Sequence, residues 1–524
     1  MSAEPAIFSP PPTAEVTAAL LARHDARMAQ KSSLALAELL ADTVYLERMR
    51  FEEERPLPEE QQLIDLAARA VARGGADELR AAARTLITAY AEEIHTHFSV
   101  PTYRVATSIL PRALTTIVTA SSPRRLLGGD IDPKQRLRVQ GEIEHVRRLS
   151  ERGTVLITPT HLSNLDSPLI GYAVYACGLP PVAYGAGLNL FTNPVMSFFM
   201  RRLGTYIVDR RKQGLLYKDT LKDYSVELLR RGVHSLFFPG GTRSRSGAVE
   251  KKLKKGLLGT ALRAWQENIA AGQRDRDIFV VPMTLSTSLV LEAETLARDA
   301  LAREGKSRFI IVDDEFSRTR TVASFLGRVL NLDESVHMTF SRPLDVFGNP
   351  VDEEGHSLGP SGERIDRSRY VCDASGAVEW DEQRDHVYTE RLAEALVAAF
   401  HRDNVALSTH VAAMAAWCLL AARHPGVDTW RTVRLARSEA LLPRPELLRE
   451  IERLLVAISE LEQRGKIRAA LPTGAEQVLV EAMGRFLSFH TRPALSPDHE
   501  AVQADPELVY FYKNRLVGYG LERA

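Results

Sequence analysis

"TVLITPTHLSNLDSPLIGYAVYAC", residues 154–177, changes character twice. The β-branched and apolar run from Thr154 to Thr160 predicts a buried strand, and the apolar stretch after Leu165 predicts a helix. His161 comes directly after the strand, with Asp166 five residues later. A strand feeding a helix through a short turn is the unit of an α/β fold, and such folds bind ligands at the C-terminal ends of their strands. A carboxylate at the start of the helix can accept the imidazole Nδ1–H and leave Nε2 free to take a proton. The alternative is an ordinary turn in which His161 is a turn residue and Asp166 a helix-start cap. The stretch alone leaves both readings open.

The same texture continues on the C-terminal side. "PPVAYGA", "GTYIVDR", "HSLFFPG", "DIFVVPMTLS", "RFIIVDDEF" and "VHMTFSRPL" all predict short strands. Amphipathic helical patterns lie between them, notably at 214–232 and 257–272. The expected fold class is therefore α/β, a central, mostly parallel sheet flanked by helices. Helical regions are expected on both sides of it. The predicted organisation is a helical N-terminal region at 1–125, an α/β domain at 126–345, a Gly-, Pro- and charge-rich linker or surface loop at 346–381, and a helical C-terminal region at 382–524.

Composition removes several function classes. The 524 residues carry 67 Lys+Arg against 67 Asp+Glu, so the chain has no basic excess for holding nucleic acid. The three cysteines, Cys177, Cys372 and Cys418, are far apart and odd in number, unlike a disulfide framework or a metal cluster. "MSAEPAIFSPPP" lacks the basic and apolar regions of a secretory signal. The most apolar run, "VAAMAAWCLLAA" (411–422), suits a buried core helix and is too short to span a bilayer.

Two further segments carry candidate chemistry. "FFPGGTRSRSG" (237–247) follows a strand, turns on two glycines and presents Arg243 and Arg245. Glycines let backbone N–H groups approach a ligand, and guanidinium forks match phosphate. The GK[ST] ending of a nucleotide P-loop is missing, and a solvated basic loop is the alternative. "GAGLNLFTNPVMSFFMRRLGTYIVDRR" (185–211) places paired arginines, Arg201–Arg202 and Arg210–Arg211, on either side of a strand. Its GxG lacks the last glycine of a dinucleotide fingerprint. No G-x-S-x-G elbow occurs, and no His/Cys set has metal-ligand spacing.

Taken in order, "HLSNLD" (161–166), "GLNLFTNPVMSFFMRRLGTYIVDRR" (187–211), "FPGGTRSRSGAVEKKLKKGLL" (238–258) and "FVVPMTL" (279–285) resemble the four blocks of the glycerolipid acyltransferases with the His-x4-Asp motif. The bacterial membrane-bound glycerol-3-phosphate acyltransferase family is the nearest match. "ALSTHVAAMAAWCLLA" and "DPELVYFYKNRL" look weakly like that family's C-terminal tail.

The resemblance implies an acyltransferase-like fold and transfer of a fatty acyl group from acyl-CoA or acyl-carrier protein to the sn-1 hydroxyl of glycerol 3-phosphate. The product would be lysophosphatidate, made in the first step of phospholipid synthesis. It makes His161 the general base and Asp166 its orienting partner. Arg202, Arg243 and Arg245 would hold phosphate, with Arg201 and Lys255 beside them and backbone N–H groups near Gly240–Gly241 facing the oxyanion. No metal and no cofactor beyond the acyl carrier is implied, and no nucleic-acid partner. The implied location is peripheral, on the cytoplasmic side of the inner membrane. One position departs from the pattern: the family usually carries an acidic residue where this chain has Gly240. That departure keeps other acceptors in view, lysophosphatidate or dihydroxyacetone phosphate, as well as a non-catalytic lipid- or phosphate-binding scaffold.

Overall fold

The computed structural model describes residues 10–107, 137–188, 194–304, 336–490 and 492–522. The predicted strand at 308–316 and the boundary at 125–126 lie outside these residues.

Four helices, α1 (Thr13–Ala29), α2 (Ser33–Glu53), α3 (Pro58–Arg73) and α4 (Ala76–Ile94), form the N-terminal region. The sheet begins with β1 (Leu137–Gly141), followed by α5 (Ile143–Arg152), β2 (Gly153–Pro159) and α6 (Asp166–Ala176). β3 (Ala183–Gly187), α7 (Pro194–Arg202), β4 (Thr205–Val208), α8 (Leu215–Arg230) and β5 (Ser235–Leu236) continue it. α9 (Lys255–Ala270), β6 (Asp277–Thr287), α10 (Ala293–Glu304) and β7 (Val336–Phe340) complete it.

The strand order is β1-β7-β6-β2-β5-β3-β4. Every neighbouring pair is parallel except β6 with β7. The expected fold class is thus what the chain adopts. β2 is covered on both faces, and all its residues after Gly153 are buried, which is why it reads as an unbroken apolar run. β1 was not anticipated. "LRVQG" sits in a charged segment at the sheet edge, where one buried residue, Leu137, is enough to seat it.

The N-terminal helices pack on α8 through one shared core that includes Leu20, Leu86, Tyr217 and Tyr224. Ion pairs stitch the rim of that contact, Arg23 to Glu227 at 3.0 Å and to Glu267 at 2.7 Å. On the other side, α11 (Glu382–Arg402) and α12 (Ser408–Arg423) precede α13 (Arg444–Gln463), α14 (Ala475–Phe489) and α15 (Pro506–Lys513). α12 is the apolar run at 411–422. It is buried nearly all round and shares the largest core with β6 and β7, the fate expected of a helix without a polar face. Two small sheets among these helices, of two and three strands, were not expected.

The stretch expected as a linker or surface loop is a series of bridged turns. Val280 pairs with Leu344, Leu344 with Pro350, Val351 with Ser357, and Leu358 with Arg364. Val346, Phe347, Val351 and Val371 are buried, which fastens 346–381 to the sheet, while Tyr370 and Trp380 remain exposed.

Candidate active site

β2 delivers His161 to the C-terminal edge of the sheet, where Thr160 is held against β6 by its N–H to Met283 O at 3.0 Å. The chain then turns tightly around Asp166. Its Oδ2 accepts from His161 Nδ1 at 3.0 Å, from Leu162 N at 2.6 Å and from Ser163 N at 2.8 Å. One carboxylate oxygen therefore shapes the turn and orients the imidazole. The two readings left open by the sequence are both partly true: Asp166 organises the helix start, and it also holds His161.

With Nδ1 donating to Asp166, Nε2 is the ring nitrogen left for a proton. The ring stacks on Phe238, centroids 3.8 Å apart and planes 14° from parallel. Burial holds the His161 pKa below the usual histidine value. Asp166 opposes that shift, while Arg243 and Arg210 reinforce it. The imidazole is consequently neutral near pH 7, as a general base must be.

His161 lies in a cleft of about 510 Å³. The third block folds over it and is tied at its ends by Lys254 N to Pro239 O at 2.7 Å. Arg243 and Arg245 both line the cleft, as expected. Arg243 donates to Glu292 Oε1 at 3.1 Å, and Arg245 pairs with Asp299 at 2.8 Å. Glu292 is fully buried and also accepts from Ser163 Oγ at 2.7 Å and Asn164 N at 3.1 Å. It links the first block to the third. Sequence reasoning missed it, because a single acidic residue seven positions beyond a strand block forms no pattern.

The second block divides. Arg201 and Arg202 end α7 and do not line the cleft. Arg202 folds back over Phe198, its Cζ 4.0 Å from the ring centroid, with Nη1 3.3 Å from Phe198 O. Arg210, just past β4, does line the cleft, and no carboxylate pairs with it among the described residues. Of the two arginine pairs that flank β4, it is 210–211 that lines the cleft. Lys255 is a second correction. It faces α11, paired with Glu390, while its neighbour Lys254 lines the cleft. A third concerns Gly241, which lines the cleft but spends its N–H on Phe238 O at 3.1 Å, leaving none for an oxyanion.

The cleft also reaches the N-terminal region. Lys212, on its wall, pairs with Glu93 of α4 and with Glu60 of α3 at 3.4 Å. Among the described residues, Asp352, Glu354 and His356 are close enough together to hold a cation, but they lie on the 346–381 turns outside the cleft.

Residues 136–286 match the family model described as Acyltransferase. A glycerol-3-phosphate acyltransferase of Histophilus somni (strain 129Pt) is 35% identical over 158 residues, 30% of this chain and 19% of that protein. One from Haemophilus ducreyi (strain 35000HP / ATCC 700724) is 29% identical over 205 residues, 39% of this chain and 23% of that protein. The matches thus span only 19 to 23% of these relatives' own length. Among solved structures, the 1-acyl-sn-glycerophosphate acyltransferase of Thermotoga maritima aligns over 60% of this chain and 94% of its own, at 16% identity and a TM-score of 0.26. A likeness that weak carries no argument.

Proposed function

From the acyltransferase match over residues 136–286, we propose that this chain is a glycerol-3-phosphate O-acyltransferase. It would move a fatty acyl group from acyl-CoA or acyl-carrier protein to the sn-1 hydroxyl, giving lysophosphatidate. The observation that carries the reading is the His161–Asp166 pair, with Nε2 free, in a cleft that also holds Arg210, Arg243, Arg245 and Lys254.

An alcohol is a poor nucleophile at neutral pH, and a positioned base contributes about 10²–10⁴-fold. In this mechanism His161 Nε2 removes the sn-1 proton as the oxygen attacks the thioester carbonyl. Asp166 stabilises the imidazolium through Nδ1. The tetrahedral intermediate then collapses, the carbon–sulfur bond breaks, and the departing thiolate takes the proton back from Nε2. No side chain is acylated, and a thioester needs no metal to activate it. The guanidinium groups of Arg210, Arg243 and Arg245 hold the acceptor's phosphate and set its hydroxyl against Nε2.

The substrate and product are a lipid and its precursor, so contact with the cytoplasmic face of a membrane is part of the proposal. Among the described residues no helix is long and apolar enough to cross a bilayer. Phe198 on α7, 49% exposed within the apolar "LFTNPVMSFFM" stretch, supports lying on one.

The test is thiol release from palmitoyl-CoA with and without glycerol 3-phosphate, for the wild type and His161→Ala. Acceptor-dependent release that the variant loses is the expected result. Release equal in both proteins removes His161 from the mechanism. Release dependent on lysophosphatidate or dihydroxyacetone phosphate instead of glycerol 3-phosphate replaces the acceptor and keeps the chemistry.

A further inference from the structure

The third block holds His161 by its backbone as well as covering its ring. Ser244 N donates to His161 O at 2.7 Å, and His161 N donates to Glu250 Oε1 at 2.7 Å. Both main-chain groups of the residue are therefore fixed from one loop. The other oxygen of Glu250, Oε2, is buried and has no hydrogen-bond partner among the described residues. A buried, half-satisfied carboxylate is costly, and its presence asks for a function.

Two observations say what occupies its surroundings. A side chain at 240 would meet Glu250: a Cβ there would lie 3.2 Å from Glu250 Cγ and 3.5 Å from Oε1. Gly240, where an acidic residue was expected, thus leaves room for a carboxylate that arrives from ten positions further along. From the opposite direction comes Arg515, 2% exposed, immediately after α15. Its Nη2 donates to Leu285 O, while Nε and Nη1 are buried and without partners among the described residues. Arg515 favours a negative charge on Glu250, and Asp166 opposes it. The C-terminal segment is locked onto the loop next to them: Asn514 Nδ2 donates to Ser246 O at 2.9 Å. A Cβ at Gly247 would lie 2.3 Å from Phe511 O, so only glycine permits that approach.

We propose that Glu250 is a positioning residue for His161, seated in the space Gly240 leaves and backed by the buried guanidinium of Arg515, so that the C-terminal region completes the site. Glu250 touches neither substrate nor reacting atoms. It fixes the backbone from which the base is presented. Only the kinetic half of the test below depends on the acyl-transfer reading.

Full-length Glu250→Gln keeps the acceptor and the shape, whereas Glu250→Ala removes both. Two readouts are taken: kcat and KM for glycerol 3-phosphate, and the rate at which diethyl pyrocarbonate modifies His161, followed by peptide mass spectrometry. The alanine variant should lose about tenfold or more in kcat, with KM within about twofold, because a hydrogen bond to a charged group is lost without touching the acceptor. Its His161 should react faster, because the backbone that presents the ring is no longer held. The glutamine variant, whose amide oxygen can still accept from His161 N, should recover most of kcat and the wild-type His161 reactivity. Arg515→Lys, which keeps the buried charge, should stay closer to wild type than Arg515→Met. Folded Glu250→Ala protein with unchanged kcat and unchanged His161 reactivity overturns the proposal, and so does a loss confined to KM. If the wild type releases thiol with no acceptor, the acyl-transfer reading fails, and His161 reactivity still decides whether Glu250 positions it.

Discussion

The first and second blocks offered equally plausible residues, and the fold treated them oppositely. His161 and Asp166 sit on one tight turn after a buried strand, where a single oxygen gathers three donors. Arg201 and Arg202 sit at the end of a helix, and the chain must still cross β4 before it reaches the cleft with Arg210. A turn pinned by hydrogen bonds converts sequence spacing directly into geometry. On a helix each step rotates a side chain by a quarter-turn or more, so a neighbouring pair carries little information about direction. Spacing is therefore reliable evidence only where the backbone between the residues is fixed.

The largest effect should come from the pinned turn. Asp166→Asn keeps the shape but removes the charge that opposes the burial of the His161 ring, and His161→Ala removes the base. Each should lower kcat by about 10²–10⁴-fold, measured by acceptor-dependent thiol release. Because burial places the His161 pKa below its ordinary value, the acid limb of the wild-type kcat/KM profile should fall below about pH 6.5. A limb above that value would mean that another group is being titrated.

Arg210 should come next. Hydrogen bonds to a charged group are worth about 1.5–3 kcal/mol, so Arg210→Ala should raise KM for glycerol 3-phosphate by about ten- to a hundredfold. If KM is unchanged, the cleft holds its phosphate on Arg243 and Arg245 alone, and the distinction drawn between the two arginine pairs loses its functional content.

Glu250 gives a third test, on stability. Burial raises its pKa from 4.5 to about 7. A raised carboxyl favours the folded state fully below its unfolded pKa, and that contribution is lost as pH rises through the folded value. Between about pH 4.5 and 7 the wild type should therefore lose ground to Glu250→Gln, by at most about 3 kcal/mol, seen as a change in the order of their urea midpoints. Parallel curves across that range would show that Glu250 is ionised throughout.

What the sequence disclosed follows the same physical line. β2 and β6 were legible because strands buried on both faces leave continuous apolar runs, and α12 because a helix without a polar face must be internal. β1 was hidden by charge, and β5 spans only two residues. At 346–381 Gly and Pro content left linker and surface loop undistinguished, because those residues serve tight geometry. Gly355, at φ +90°, lies against the Phe279 ring, where a Cβ would come within 2.8 Å. In the site, His161, Asp166, Arg243 and Arg245 were found because each belongs to a dense local pattern. Glu292, Glu250 and Arg515 were not found. Glu292 and Arg515 are single charged residues outside the blocks, and Glu250 is hidden in the charge run that ends the third block, so only tertiary packing shows what each serves.

The smallest effect is the sharpest check on the opening contrast. Arg202 is occupied with Phe198, and Lys255 with Glu390, both outside the cleft. Exposed pairs of this kind contribute about 0–1 kcal/mol. Arg202→Ala and Lys255→Ala should accordingly leave kcat and KM within about twofold of wild type, even though the block pattern ranks Arg202 with Arg243. A loss at Arg202 comparable to that at Arg210 would mean that α7 turns its end toward the cleft when substrate is bound. The direction of a helical pair would then be set by the ligand, and spacing in the second block would regain the meaning that the unliganded fold denies it.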